Sequence, residues 1–248
     1  MGLARILRQP RWIVASVLIV VLAVVFVSLG RWQLERLDEV RAENRLVAAR
    51  TELPPIDLDE LEGPVDAEEL EYRRVVTTGV YTSDEEVLQR SRAYRGQNGF
   101  HVLTPLVTAD GEAVLVRRGW VPYELDTPPV PEAAPPAGEV QVTGFLQRSD
   151  EQRDLGPTDP TEGELDVVFR ADVPRLDRQV APELFPMVLA LDEQEPPQSG
   201  RLPVPAALPD LDEGNHLSYA LQWFSFAAIA VIGYAAVLWR RSREEEEE

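Results

Sequence analysis

Residues 12–29, WIVASVLIVVLAVVFVSL, contain no charged side chain, and how they are read decides the architecture. A helix of that length, at about 1.5 Å rise per residue, covers most of the roughly 30 Å hydrocarbon core of a bilayer. Arg5, Arg8 and Arg11 precede the run as they would in a secretory leader. The run is too long for a leader's apolar segment, however, and it continues into the charged stretch RWQLERLDEVRAENRLVAAR, residues 31–50. It is therefore expected to be a retained anchor. A second apolar run, residues 217–239, is followed by Arg240, Arg241 and Arg243. Spanning helices keep basic residues on their cytoplasmic flanks. The expectation is a multi-pass protein of the cell membrane with both termini cytoplasmic. Its parts are a cytoplasmic N-terminus (1–11), a first transmembrane helix (12–29), an extracytoplasmic domain (30–216), a second transmembrane helix (217–239) and a cytoplasmic tail (240–248).

Beyond the first run, Trp32, Leu34, Leu37, Val40 and Val47 recur near helical spacing, while Arg31/Glu35 and Asp38/Arg41 are placed to pair along the surface. A juxtamembrane helix over 30–50 follows, ended by Pro54 and Pro55. From Tyr72 the period becomes two. YRRVVTTGVY, GFHVLTPLVT, EAVLVRRGWVP, EVQVTGFLQR and FPMVLALDE are rich in Val, Thr and aromatic residues and are bounded by Gly, Pro or Asp. Asp110-Gly111 signals a tight hairpin between the second and third of them. The fold class expected is a mainly antiparallel β domain over 72–192, a sandwich or small barrel. It carries a minor helix near Pro174–Val180 and is flanked by the two transmembrane helices. Pro-dense residues 193–214 read as a tether back to the membrane. Small residues in the second span (Ala227, Ala228, Ala230, Gly233) and in the first (Ala23, Ser28) would let the two helices approach.

Charge and composition exclude several functions. The net charge is −19, and residues 30–216 carry 18 arginines against 38 acidic residues, so nucleic acid is an unfavourable partner. There is no cysteine and no lysine, which removes disulfides, thiolate metal sites, Schiff bases and P-loop chemistry. Neither a G-x-S-x-G elbow nor an H-E-x-x-H pair is present.

Three clusters remain. In LGRWQLER, Trp32 and Gln33 stand at the outer end of the first span, where tryptophan is also common simply as an interfacial anchor. RRGWVP, residues 117–122, closes an apolar strand, with Trp120 a core or rim aromatic. In DEGNHLSYALQWF, residues 212–224, Asn215 suits an N-cap and places His216 first in the second span, with Tyr219 and Trp223 on its face. A helix N-terminus favours neutral imidazole with a lone pair for a metal, and it attracts anions such as haem propionates. An interfacial histidine bonded to water fits the same residues.

Taken in order, LGRWQLERL, EYRRVVTTGVY, GFHVLTPL, VLVRRGWVP and NHLSYALQWF resemble the Surfeit locus protein 1 family of cytochrome c oxidase assembly factors. The sequence departs from that family's pattern at Arg117, where Asn is usual, and at Val40-Arg41, where Lys is frequent. The resemblance implies a non-enzymatic factor that assists insertion of haem A into the oxidase's catalytic subunit. Its implied partners are that subunit, haem A synthesis or insertion factors, and the bilayer. It also implies a haem site with His216 as the iron ligand, Tyr219, Trp223, Trp32 and Gln33 around it, and Arg31 and Arg36 within reach of propionates. A structural chaperone or accessory subunit that does not touch haem is the alternative.

Overall fold

The computed structural model describes residues 8–61, 63–151, 156–205 and 211–247. Positions 1–7 and 248 of the expected termini and residues 206–210 of the expected tether lie outside them. In chain order the main elements are α1 (Pro10–Thr51), β1 (Ile56–Asp57), α2 (Ala67–Leu70), β2 (Arg74–Tyr81), β3 (Val87–Tyr94) and β4 (Gln97–Thr108). They are followed by β5 (Ala113–Pro122), β6 (Glu139–Arg148), β7 (Val167–Val168), α3 (Val173–Leu176), β8 (Leu184–Glu195) and α4 (His216–Glu247). The chain forms two compact units, Met1–Leu46 with Leu211–Glu248, and Val47–Asp210.

The first unit is an antiparallel pair of long helices. Helix α1 starts with Pro10, which suits a first turn because its missing N–H would have no partner there, and runs without interruption through residue 30. Both α1 and α4 are long and apolar enough to cross a membrane, and only 6% of the apolar window of each is buried. What packs between them is aromatic. Phe26 lies 5.6 Å from Trp223 and 5.8 Å from Phe226, while nearer the other end Trp12 and Tyr234 are 6.4 Å apart and Ser16 Oγ meets Tyr234 Oη at 2.6 Å. Gly30 permits the closest approach, since a Cβ there would fall 2.6 Å from the Phe224 ring. The small residues at the seam are Ala220 and Ala227, both buried. Of the other expected small residues, Ala23 and Ala230 are half-buried, Ala228 and Ser28 are exposed, and a Cβ on Gly233 would meet nothing within 4 Å, so rings over glycine share the contact with only some of the small residues.

The second unit is a barrel, the second of the two forms the alternating pattern allows. Strand order is β1-β2-β6-β8-β5-β4-β3-β7, and an additional pairing of β2 with β4 over Gly79–Tyr81 and Leu106–Thr108 closes β2, β6, β8, β5 and β4 into a ring. Every strand of that ring contributes to one interior, including Val75, Leu106, Val116, Leu146 and Leu189. The pairings are antiparallel except β5–β8 and the short β1–β2 and β3–β7 ladders, which are parallel. The Thr108–Glu112 hairpin at Asp110-Gly111 forms as its dipeptide demands. Helix α3, capped by Asp172 with Pro174 in its first turn, covers a second apolar cluster that includes Leu103, Leu115 and Val188.

Besides the short β1, α2 and β7, which were not expected, two longer segments differ from the sequence expectation. Strand β3 was not expected, because VLQRSRAY breaks alternation with Arg90, Ser91 and Arg92. The stretch after residue 193 is not a free tether up to residue 205: β8 runs to Glu195, and Val204 exchanges both backbone hydrogen bonds with Trp120. Proline there limits pairing to single bridges, which is why the stretch reads as linker.

Candidate functional site

The expected site lies wholly in the first unit. Helix α4 begins at His216, and the Asn215 carbonyl accepts the first intrahelical bond from Tyr219 N at 3.1 Å, as an N-cap residue does. Gly214 before it adopts φ +67°, and its N–H donates to Asp212 at 3.0 Å. Across the pair of helices, His216 Nδ1 stands 2.8 Å from Gln33 Oε1. An amide oxygen has no proton to give, so Nδ1 carries the hydrogen and donates it. In the neutral ring the other nitrogen, Nε2, then has the lone pair that a metal ligand needs. A Cβ built on Gly214 would lie 3.6 Å from Nε2, in ordinary van der Waals contact.

Of the other expected residues, Trp223 lies about two turns deeper between the helices, its ring tilted against Phe26, and Phe226 meets its ring edge-on at 5.9 Å. Trp32 and Tyr219 are about half exposed. Arg31 lies 4.0 Å from Glu35 and Arg36 2.8 Å from Glu39, both pairs exposed on α1. The structure thus joins His216 with Gln33 and walls the helix seam with Trp223, while Trp32, Tyr219, Arg31 and Arg36 remain on the surface around them. The chain just before His216 is fixed to α1 by Arg41–Glu213 at 2.8 Å and by Asn44 Nδ2 donating to Leu211 O at 2.8 Å.

The RGW motif in the second unit does work that its spacing did not disclose. Arg118 is the extra residue of a β-bulge, because Val102 pairs with Gly119 whereas Leu103 pairs with Arg117. Its guanidinium is fully buried, 3.5 Å from the equally buried Glu86 and 5.1 Å from the centre of the Tyr81 ring, and it donates to Gln198 Oε1 at 3.0 Å. Glu86 is completed by Val130 N at 2.8 Å and Thr104 Oγ1 at 3.1 Å. Burial holds the Glu86 carboxyl pKa above its usual range, and those donors, with Arg118, offset only part of that rise. Gly119, at φ +147°, leaves no room for a side chain, since a Cβ would meet Val204 O at 2.3 Å. Trp120 covers the strand beside it and donates through Nε1 to Arg92 O at 3.1 Å. The motif is thus a buried structural lock between β5 and the loops around it. Nothing in a sequence marks Glu86 as different from the many solvated carboxylates.

Comparison with known proteins gives one consistent family. The model of the SURF1 family matches residues 20–228, which takes in the barrel and part of each long helix. An uncharacterised SURF1-like protein of Mycobacterium tuberculosis is 32% identical, with 97% of this chain and 89% of the relative covered. A SURF1-like protein of Monosiga brevicollis is 30% identical over 84% of this chain and 81% of its own length. The cytochrome oxidase assembly protein SHY1 of Saccharomyces cerevisiae is 38% identical over a shorter region, 40% of this chain and 26% of that protein.

Proposed function

This chain belongs to the SURF1 family, and from that premise we propose that it is a membrane-anchored assembly factor for cytochrome c oxidase. In this reading it is not an enzyme. It holds haem A transiently and assists its insertion into the oxidase's catalytic subunit, working with haem A synthesis or insertion factors. The observation that carries the haem reading is the 2.8 Å contact of His216 Nδ1 with Gln33 Oε1, which leaves Nε2 as the ring nitrogen available to a metal at the end of an aromatic-lined helix seam. Iron would be held by His216, with Trp223 offering an apolar wall and the exposed Arg31 and Arg36 available to propionates. The oxidase connection is supported by the family and by the yeast relative's name. Membrane anchoring is supported by the two long apolar helices and by the arginines that precede the first and follow the second. Both termini then lie in the cytoplasm and the barrel outside it.

The same contact also favours a second reading. A hydrogen bond that ties α1 to α4 is complete without any ligand, as it would be in a structural chaperone that grips an oxidase subunit and never touches haem. The two readings separate on the protein purified from cells that make haem A. A Soret band that disappears in His216→Ala and persists in His101→Ala supports haem binding. No band in the wild type, or one unchanged in His216→Ala, rejects the ligand assignment and leaves the structural chaperone.

A further inference from the structure

The second unit holds a cluster of charge that the oxidase-assembly reading does not use. His101 on β4, Arg117 on β5, Arg148 on β6 and Arg92 on β3, with Glu71 and Asp150, line a cleft of about 360 Å³. Four of these residues also line an adjoining opening of about 700 Å³. On an outer domain rich in acidic residues this is a local excess of cation, three guanidinium groups against two carboxylates.

Each carboxylate already has its own cation. Glu71 Oε2 meets Arg148 Nη2 at 2.6 Å. Asp150 Oδ2 has Arg92 Nη2 at 3.9 Å and accepts from Gln89 Nε2 at 3.0 Å and Ala171 N at 3.1 Å. Arg117 is left over. Its Nη1 donates to the neutral Gln147 Oε1, its Nε is buried with no hydrogen-bond partner, and it forms no ion pair among the described residues. Beside it, His101 Nδ1 is also buried without a partner. Burial, with Arg117 and Arg92 nearby, lowers the His101 pKa to about 3, so the ring is neutral at physiological pH and has an N–H to give. A half-buried cation whose nearby carboxylate, Asp150, is already engaged by Arg92, Gln89 and Ala171, next to a polar nitrogen without a partner, is costly to maintain unless something else completes it.

The backbone is shaped around this spot. Strand β3 bulges between Gln89 and Arg92, with Ser91 at φ +62°, and β5 bulges at Arg118, directly after Arg117. Bulges re-aim the side chains next to them. The Trp120 indole, bonded to the Arg92 carbonyl at 3.1 Å, holds the first bulge against the strand that carries Arg117.

We propose that this cleft binds a small molecule through one oxyanion group, a carboxylate or a phosphate, with Arg117 as its charge partner, Arg92 and Arg148 at the rim, and His101 as a neutral donor. The inference is independent of the haem reading, because it uses other residues in the other unit. It is tested on the full-length protein in detergent by thermal unfolding. Inorganic phosphate and acetate are titrated separately, with chloride at matched ionic strength as the control. At ten times its Kd, one of the two should raise Tm by about 3–6 °C while chloride does not, and which one acts identifies the group. Arg117→Gln should bind that anion at least tenfold more weakly, and Arg92→Gln, at the half-exposed rim, several-fold more weakly. Should Arg117→Gln fail to fold, Arg92→Gln alone decides. No response to either anion, a response equal to that of chloride, or undiminished binding in the folded variants overturns the proposal.

Discussion

Gln33 and His216, 183 residues apart in sequence, meet at 2.8 Å between Oε1 and Nδ1. The amide fixes which ring nitrogen is protonated, and groups that orient a metal-binding histidine typically govern affinity by about 10- to 100-fold. If His216 holds haem iron, Gln33→Leu therefore weakens haem binding by that factor in a titration followed at the Soret band. Gln33→Glu, which still accepts from Nδ1, retains it. Equal affinity in Gln33→Leu and the wild type contradicts the role given to Gln33.

Because the chain has no native cysteine, topology is directly measurable. Of single cysteines placed at Arg5, Ser149 and Glu248, only the one at Ser149 is expected to react with an impermeant thiol reagent on intact cells. Labelling of either terminus refutes the two-span arrangement.

The Arg118–Glu86 pair predicts a specific energetic pattern. Removing one member of a buried ion pair strands the other, at a cost of about 3–5 kcal/mol. Arg118→Ala and Glu86→Ala should each lower the denaturant midpoint followed by tryptophan fluorescence. The double variant should lose clearly less than the two losses added together, because neither charge is then left alone. Strict additivity excludes coupling between them.

His101 makes a pH prediction with a definite sign. Its pKa is held at about 3 when folded, against the ordinary value near 6.5 once unfolded, so between these limits the unfolded chain binds the proton first. Its contribution to stability is complete above pH 6.5 and is lost progressively as pH falls from there towards about 3. It amounts to at most a few kcal/mol. Many carboxylates titrate over the same range, so the informative quantity is the difference between wild type and His101→Asn, which should be the flatter of the two between pH 7 and pH 4. Parallel curves count against it.

Period two survives in β2 and β6, which bury one face, whereas β4, β5 and β8 bury both faces and were legible as Val-rich runs bounded by Gly, Pro or Asp. Strand β3 was not, because half of it faces solvent across a bulge and carries arginines. Closure was equally hidden: the β2–β4 contact is a three-residue pairing between distant segments, and no local pattern encodes it. At the candidate site, His216 and Gln33 each stood out for position, but their bond depends on how two long helices align, which composition does not specify. Arg117 was visible only as a departure from a motif. Its lack of a carboxylate partner is a property of the folded surroundings.

The barrel's order in space has a consequence for how it is made. Strand β8 is the last strand to be synthesised, yet it sits between β6 and β5, joining β6 antiparallel and β5 in parallel. Until residues 184–195 have emerged, β5 and β6 each have a bare edge, and the ring has a gap where its final stave belongs. Unpaired edges recruit other strands, so a chain terminated before Leu184 should form aggregates rather than a smaller domain. A chain cut after residue 205 keeps every stave and should retain a folded barrel. Biogenesis of this protein therefore turns on the interval between the sixth strand and the eighth, when the barrel is most exposed to mispairing.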